Sequence, residues 1–505
     1  MQPPLNVRLR GACLMVGVLC ASLLGLLVMA APNARADGAV SGGDLTVAQS
    51  LGARELTVIV RRSEPGPLRV DVVTHAGTAA GTLTLTATPV DQGGENSSGT
   101  VELGPTPGPY SATLRVDHAG PWELSVSDGE RTARIPFLVA ARVVTPWERA
   151  AYGGFSVAGV LLLVALGTAV ISKRGWPTVI PVGALIVALS VGATGAVLSG
   201  RAPQPRPAGS LLDPTSGNIG NPYPERDLPM TTNYSRPPVN LTVGAGKSGQ
   251  GTEVRLSLTD SATGRPVDDL LVTDDALLHL MVVGPDGRFW HRHPIRVAPG
   301  EYRVELGLGE SGDYAVAAEI ARRGGGVQLL RAALHLGADL VSRADTSAPG
   351  VGPAAQTPTD TGAPTSGQPG TATPTGGMNA ASLTVTEAVA GEPTTLTAAF
   401  GGSADLQPWL GMLGHLIAVG PLPEGVPTGT AAAAVPVWAH AHAMLPLPAL
   451  GAQPPDETVA AYGPNVAFTF TFPQPGRYLV WAQAERGYSV MTVPATVDVR
   501  AGGPR

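Results

Sequence analysis

Apolar and polar residues alternate over short stretches through most of this chain. Glu55-Leu56-Thr57-Val58-Ile59-Val60, Leu68-Arg69-Val70-Asp71-Val72 and Thr82-Leu83-Thr84-Leu85-Thr86 show the pattern early, and Val254-Arg255-Leu256-Ser257-Leu258 resumes it later. Period-two runs bounded by Gly and Pro clusters predict half-buried β-strands. Two segments depart from the pattern. Gly153 to Ile171 and Pro177 to Leu198 are almost wholly apolar, each long enough to cross a hydrocarbon layer of about 30 Å as a helix. Only Ser172-Lys173-Arg174-Gly175-Trp176 separates them. A tight loop with two positive charges predicts a cytoplasmic turn with both outer ends outside the cell, and Trp176 at the interface.

The first residues read as an export signal. Arg8 and Arg10 precede the apolar run Ala12 to Ala31, and Ala34-Arg35-Ala36 offers a small-residue cleavage site before Asp37. An uncleaved anchor is the alternative, and it leaves the same sidedness. The predicted fold is therefore mainly β: three extracytoplasmic Ig-like β-sandwich domains, a two-helix transmembrane hairpin and an N-terminal signal helix. The expected boundaries are a signal at 1–36, a first domain at 37–147, the hairpin at 153–199 and a Pro-rich linker at 200–237. A second domain at 238–338, a Thr/Pro/Gly linker at 339–380 that cannot bury a core, and a third domain at 381–501 complete the chain.

Composition narrows the function. With 65 Gly, 48 Pro and 14% charged residues, helical bundles are excluded in favour of short strands and turns. Both cysteines, Cys13 and Cys20, lie in the signal segment. A mature chain would have no disulfide, no thiolate metal site, no cysteine nucleophile and no blue-copper centre. Removing residues 1–36 takes away three arginines and no acid, moving the formal charge from -6 to -9. An acidic exported chain is not a nucleic-acid binder.

The later β-segments repeat one another. Gly312-Asp313-Tyr314 matches Gly476-Arg477-Tyr478, and Gly120-Pro121-Trp122 fits the same Gly-x-aromatic template. The phrase His-Leu-x-x-Val-Gly-Pro occurs at His279 to Pro285 and again at His415 to Pro421. Each is followed by His-x-His, at His291 and His293 in one copy and His440 and His442 in the other. Six of the nine histidines lie in these clusters. The segment Glu424 to Pro436 lengthens the second copy and reads as a loop insertion. The first β-segment has only His75 and His118 and reads as a non-binding relative, and His335 reads as structural.

On a strand, residues at i and i+2 share a face. His291 and His293 therefore point together, as do His440 and His442, with Met444 continuing that row. Met281 shares a face with His279. If the two strands are neighbours, three imidazoles converge in each copy with a thioether nearby. Core filling is the competing role for Met281, Met412 and Met444. Imidazole with thioether selects copper first, and three imidazoles alone suit zinc equally. Asp274, Asp275 and Glu319 are candidates to orient the imidazoles. No nucleophile–base pair, His-Glu-x-x-His or phosphate loop is present, so an enzyme is not expected.

Together, Leu278-His279-Leu280-Met281-Val282-Val283, His291-Arg292-His293-Pro294 and Gly312-Asp313-Tyr314 resemble bacterial exported YtkA-like β-sandwich domains. The second copy follows the same order, with Ala443 in place of the Pro after His-x-His. The resemblance implies a β-sandwich with a metal role beside copper-handling membrane proteins. The combined expectation is a membrane-anchored protein whose two tethered outer domains sequester copper or pass it to an envelope copper-handling partner. A metal-free envelope scaffold is the alternative.

Overall fold

The computed structural model describes residues 44–61, 65–90, 95–139, 146–172, 176–199, 236–249, 251–342, 381–445 and 455–503. The expected signal segment, loop residues 173–175, and nearly all of both linkers lie outside the described residues. The chain divides into two units: the apolar helices form one, and all the β-structure belongs to the other.

In the helical unit, Pro146–Ile171 and Val179–Ser199 are α-helices, the second entered through a short helical turn at Trp176–Thr178. Both are long and apolar enough to cross a membrane. Large side chains such as Leu163 and Ile171 are exposed, while Ala151, Gly154, Ala158, Ala188, Gly192 and Gly195 are buried. The two backbones meet through these small residues: a Cβ on Gly154 would lie 2.4 Å from the Gly192 nitrogen. Close small-residue contact of this kind drives helix pairing where lipid replaces water.

The β-unit contains three lobes. In the first, two four-stranded antiparallel sheets enclose one core containing Val58, Val70, Leu83, Trp122 and Ile135. The strand Gly81–Pro89 illustrates the pattern, with Leu83, Leu85 and Ala87 inward and Thr82 and Thr84 outward. In the middle lobe, one sheet contains His279–Val283 between Phe289–Arg292 and Gly312–Arg322, and Gly326–Leu336 pairs with the last of these. The last lobe repeats this arrangement, with Gly414–Gly420 between Val437–Ala443 and Gly476–Arg486, and Ser489–Val499 beyond. Each of these sheets has a second sheet behind it and shares a core with it.

The Gly-x-aromatic phrase has one structural meaning in all three lobes. Gly120, Gly312 and Gly476 open their strands at φ of 142°, 136° and 130°, where a side chain would be strained. The aromatic residue two positions on bonds the carbonyl four residues before it. Trp122 Nε1 donates to His118, Tyr314 Oη to Glu310 and Tyr478 Oη to Gln474, at 3.2, 2.8 and 2.9 Å. That anchor fixes the strand's entry into the core.

The middle and last lobes are packed against each other, which corrects the expectation of two separately tethered outer domains. All of His279–Val283 and all of Gly414–Gly420 are buried. Leu280 and Val282 point into one lobe's core, and Leu416 and Ala418 into the other's. Their alternates Met281, Val283, Ile417 and Val419 join Phe289, Trp438 and Trp481 in a further core shared between the lobes. Phe289 stacks on Trp481 at 4.5 Å. Each large side chain buried here stabilises the contact by about 1.5–3 kcal/mol.

The insertion is also more than a loop. Thr428–Ala434 forms an α-helix, as its alanines favour. Gly429 lies so close to the middle lobe that a Cβ would reach 1.9 Å from the Asp313 carbonyl oxygen. Trp438 Nε1 donates to the Ala432 carbonyl at 2.9 Å, and Arg331 of the middle lobe bonds the Val435 carbonyl.

Candidate metal centre

Three imidazoles come together in each of the two later lobes. In the middle lobe Met281 pairs with His291 across the strands, so His279, His291 and His293 share one face. In the last lobe His415 pairs with His442 and Ile417 with His440. The ligand atoms of His279, His291 and His293 lie within 4.8 Å of one another, and the same is true of His415, His440 and His442.

The two histidine faces are pressed together, which the sequence did not predict. The His291 and His440 rings are 5.1 Å apart across the interface, His279 and His440 5.4 Å, and His291 and His415 5.7 Å. The contacts follow an approximate two-fold relation. His291 Nδ1 bonds Gln483 Oε1 of the last lobe at 2.9 Å, and His440 Nδ1 bonds Glu319 Oε2 of the middle lobe at 3.2 Å. Gln483 and Glu319 occupy equivalent places, opposite His415 and His279 on the adjacent strand.

Local turns fix the first histidine of each triad. Asp274 and Asp275 have φ of 48° and 53°, and Leu410 and Gly411 have 54° and 71°, so both turns have left-handed central residues. Bridges Thr273–Ala276 and Trp409–Met412 close them. Each turn aims a carbonyl at the histidine six residues on. His279 Nε2 donates to Thr273 O at 3.0 Å and His415 Nε2 to Trp409 O at 3.1 Å.

These bonds set the tautomers, because carbonyl and amide oxygens, and the oxygens of an ionised carboxylate such as Glu319, only accept. With Nε2 protonated, His279 and His415 present a bare Nδ1. With Nδ1 protonated, His291 and His440 present a bare Nε2. The bare nitrogens face each other, His279 Nδ1 to His291 Nε2 at 3.4 Å and His415 Nδ1 to His440 Nε2 at 3.1 Å. The third member of each triad is less constrained: His293 Nε2 and His442 Nε2 are buried without a hydrogen bond, and His442 Nε2 stands 3.8 Å from Asp274 Oδ2 of the middle lobe. Two lone pairs therefore face each other in each pocket, with a third imidazole within reach of both. Tetrahedral ligation at about 2.0–2.1 Å places ligand nitrogens about 3.3–3.4 Å apart, close to the 3.4 and 3.1 Å between the first two members of each triad.

Burial pushes His291, His293, His415 and His440 well below the ordinary histidine range, and neighbouring imidazoles push the same way. Burial also lowers His279, against its bond to Thr273. The neutral form is the one that ligates metal. Burial raises Glu319 and lifts Asp275 to about 7, the latter helped by Asp274.

The expected orienting acids take different places. Asp274 and Asp275 form the turn, the Thr273 carbonyl rather than a carboxylate positions His279, and Asp274 Oδ2 stands 3.8 Å from His442 Nε2 of the opposite lobe. Glu319 orients His440 of the opposite lobe. Among the thioethers, Met281 is buried in the apolar core between the lobes. Met444 follows the end of its strand with 69% of its surface exposed, outside the buried cluster, and Met412 is buried beside the turn. His335 is exposed and pairs with Asp313 at 2.7 Å instead of filling a core.

The first lobe, expected only as a non-binding relative, closes the site. Ser50 N donates to the His293 carbonyl at 2.8 Å, and His293 N to Ser50 Oγ at 3.1 Å. Ala48 of the same strand packs on Trp409 and Leu410. Trp409 lies against the rings of His291 and His415 at 5.4 and 4.9 Å. His75 of the first lobe is also buried, between Glu457 and Glu485 of the last lobe. A lone histidine and two distant glutamates have no spacing that sequence reading could recognise.

The geometry defines a mainly β protein of three packed lobes with paired three-histidine pockets at a lobe interface, attached to two apolar helices. A family model described as a domain of unknown function (DUF8832) matches residues 375–501, the last lobe. No curated protein matches the chain. Similar solved structures include a tetra-tandem repeat from the extending region of a large adhesion protein, at 11% identity and a TM-score of 0.15. The aligned region covers 90% of this chain and 74% of that one. A putative membrane anchored protein from Corynebacterium diphtheriae aligns at 9% identity and a TM-score of 0.13, covering 89% and 92% of the two chains. Dimeric latent PorU from Porphyromonas gingivalis aligns at 10% identity and 0.15, where this chain spans only 33% of its length. TM-scores this low describe no shared overall arrangement.

Proposed function

We propose that this chain is a membrane-anchored cell-envelope protein that holds transition-metal ions, copper first and zinc second, in its paired three-histidine pockets. The observation that carries this reading is the pair of bare imidazole nitrogens facing each other in each triad, with a third imidazole within 4.8 Å of both. Without a cation, the facing lone pairs repel, and the third ring of each triad keeps a buried nitrogen without a hydrogen bond, at a cost of about 1–3 kcal/mol each. One cation in each triad turns the same contacts into bonds. Copper takes precedence because it heads the divalent affinity order for nitrogen ligands. The extracytoplasmic placement rests on the charged loop between the two apolar helices and on the export signal.

Burial refines the role. An ion enclosed by three lobes exchanges slowly, so the site suits sequestration, or a hand-over that requires the lobes to part, better than rapid shuttling. The rival reading, a metal-free envelope scaffold, makes the histidines interface filler. Calorimetric titration of the full chain in detergent with Cu(II) separates the two. The expected result is two ions at the histidine pockets, with His291→Ala and His440→Ala each losing one. Stoichiometry near zero, or binding unchanged in both variants, leaves the scaffold.

A further inference from the structure

We infer a second kind of metal site, for a divalent cation such as Mn(II) or Zn(II), at His75, Glu457 and Glu485 where the first lobe meets the last. The three residues are 6%, 3% and 0% exposed, and their ligand atoms lie within 4.8 Å of one another. His75 Nδ1 contacts Glu485 Oε1 at 2.6 Å, and His75 Nε2 stands 3.5 Å from Glu457 Oε2 and 3.0 Å from Thr57 Oγ1.

An ion pair alone leaves this cluster incomplete. Both oxygens of Glu457 and Oε2 of Glu485 are buried without a well-formed hydrogen bond. Thr57 stands beside Glu457 as well as His75; its hydroxyl can accept from His75 and donate to one Glu457 oxygen, which still leaves Glu485 Oε2 without a partner. Two ionised carboxylates around one imidazolium would leave a net negative charge in a sealed interior, where uncompensated charge is costly. Two carboxylates, a neutral imidazole and a divalent cation sum to zero, and the cation occupies the oxygens that lack partners. The donor set differs from the histidine pockets: two hard oxygens and one nitrogen favour Mn(II) or Zn(II) over copper(I).

The surroundings are built to hold the two lobes in register here. Ala76 N donates to the Tyr488 carbonyl at 2.7 Å, Arg61 pairs with Asp456 at 3.0 Å, and Gln407 bonds the Glu457 carbonyl. An ion bound here would staple the first lobe to the last and thereby hold Ser50 against His293, closing the histidine pockets.

The test is Mn(II) titration of the full chain in detergent, following the signal of free aqueous Mn(II) by electron paramagnetic resonance. One Mn(II) per chain should be taken up and then released by added Zn(II). Glu485→Gln and Glu457→Gln should abolish uptake, whereas His440→Ala should leave it intact, which separates this site from the histidine pockets. Thermal unfolding guards against a variant that fails to fold: Mn(II) should raise the midpoint of the wild type and not that of folded Glu485→Gln. No uptake of Mn(II) with Zn(II) retention unchanged in both glutamate variants, or uptake lost equally in His440→Ala, would overturn the site.

Discussion

Glu319→Leu tests the chemistry of the histidine pockets without touching a ligand. His440 is fully buried as a side chain, and its Nδ1–H is held by Glu319 Oε2 at 3.2 Å. Leucine removes that acceptor and strands a buried donor, a penalty of about 1–3 kcal/mol. The ring can escape by moving its proton to Nε2, which then donates to His415 Nδ1 across the existing 3.1 Å gap. Two ligand lone pairs are thereby tied into a hydrogen bond that metal must break. Loss of an orienting partner of this sort lowers metal affinity about 10–100-fold, or about 1.4–2.7 kcal/mol. The two-fold relation supplies the control, because Gln483 performs the same task for His291 with an amide oxygen. Glu319→Gln should therefore keep affinity in the wild-type range. The amide of Gln483 is steadied by Thr492 at 2.9 Å, where the middle lobe has Leu329 opposite Glu319. Adding Leu329→Thr to Glu319→Gln should then restore whatever the single variant loses. Competition with a chromophoric chelator reads the affinity, and imidazole nitrogen shifts read the tautomer. Wild-type affinity in Glu319→Leu, or equal loss in Glu319→Gln and Glu319→Leu, would refute the assignment of bare nitrogens.

Three further outcomes follow from packing and charge. Trp481→Ala empties the centre of the core between the middle and last lobes, where Trp481 is fully buried against Phe289. Denaturant unfolding should show a loss of about 3–5 kcal/mol, and a loss below about 1 kcal/mol would mean that the two faces are not packed. In the helical unit, Gly154→Leu should lower the thermal stability of the helix pair in micelles, followed by far-ultraviolet circular dichroism, because no side chain fits against Gly192; unchanged melting would count against close pairing. Burial opposes ionisation of Asp71, but the Ser111 hydroxyl, Arg61 and Arg69 outweigh it and lower its carboxyl below the ordinary range. A lowered carboxyl contributes stability above the unfolded value of about 3.9 that is lost as pH falls through the folded one. The gap in melting temperature between wild type and Asp71→Asn should be open at neutral pH and closed in strong acid; a gap that persists would show that the ion pairs are not its source.

The histidine triads were legible because both signals are local: two-residue spacing sets the face, and a repeated phrase sets the neighbouring strand. Their meeting across two lobes was not, although the residues carry a trace of it. His279-Leu280-Met281-Val282-Val283 and Gly414-His415-Leu416-Ile417-Ala418-Val419-Gly420 do not alternate, and an unbroken apolar strand means both faces are covered. On that pattern Met281 and Ile417 point to a second covering layer, and Met281 is core rather than a thioether ligand. Alternation in the first lobe, by contrast, gave its strands directly, since Leu83, Leu85 and Ala87 face one core and their neighbours face water. Glu485 left a fainter trace, as a carboxyl in the otherwise buried stretch Tyr478 to Glu485. A buried acid needs a partner, but nothing local could name His75, which lies 410 residues earlier. The pattern that remained hidden is thus of one kind. Contacts within a hairpin follow from periodicity, whereas contacts between lobes depend on which covered faces match, and matching is a property of two distant segments at once. The pairing of His291 with Gln483 and His440 with Glu319 shows how it was achieved here: two copies of one lobe present the same surface, so each supplies the groups that the other's histidines require.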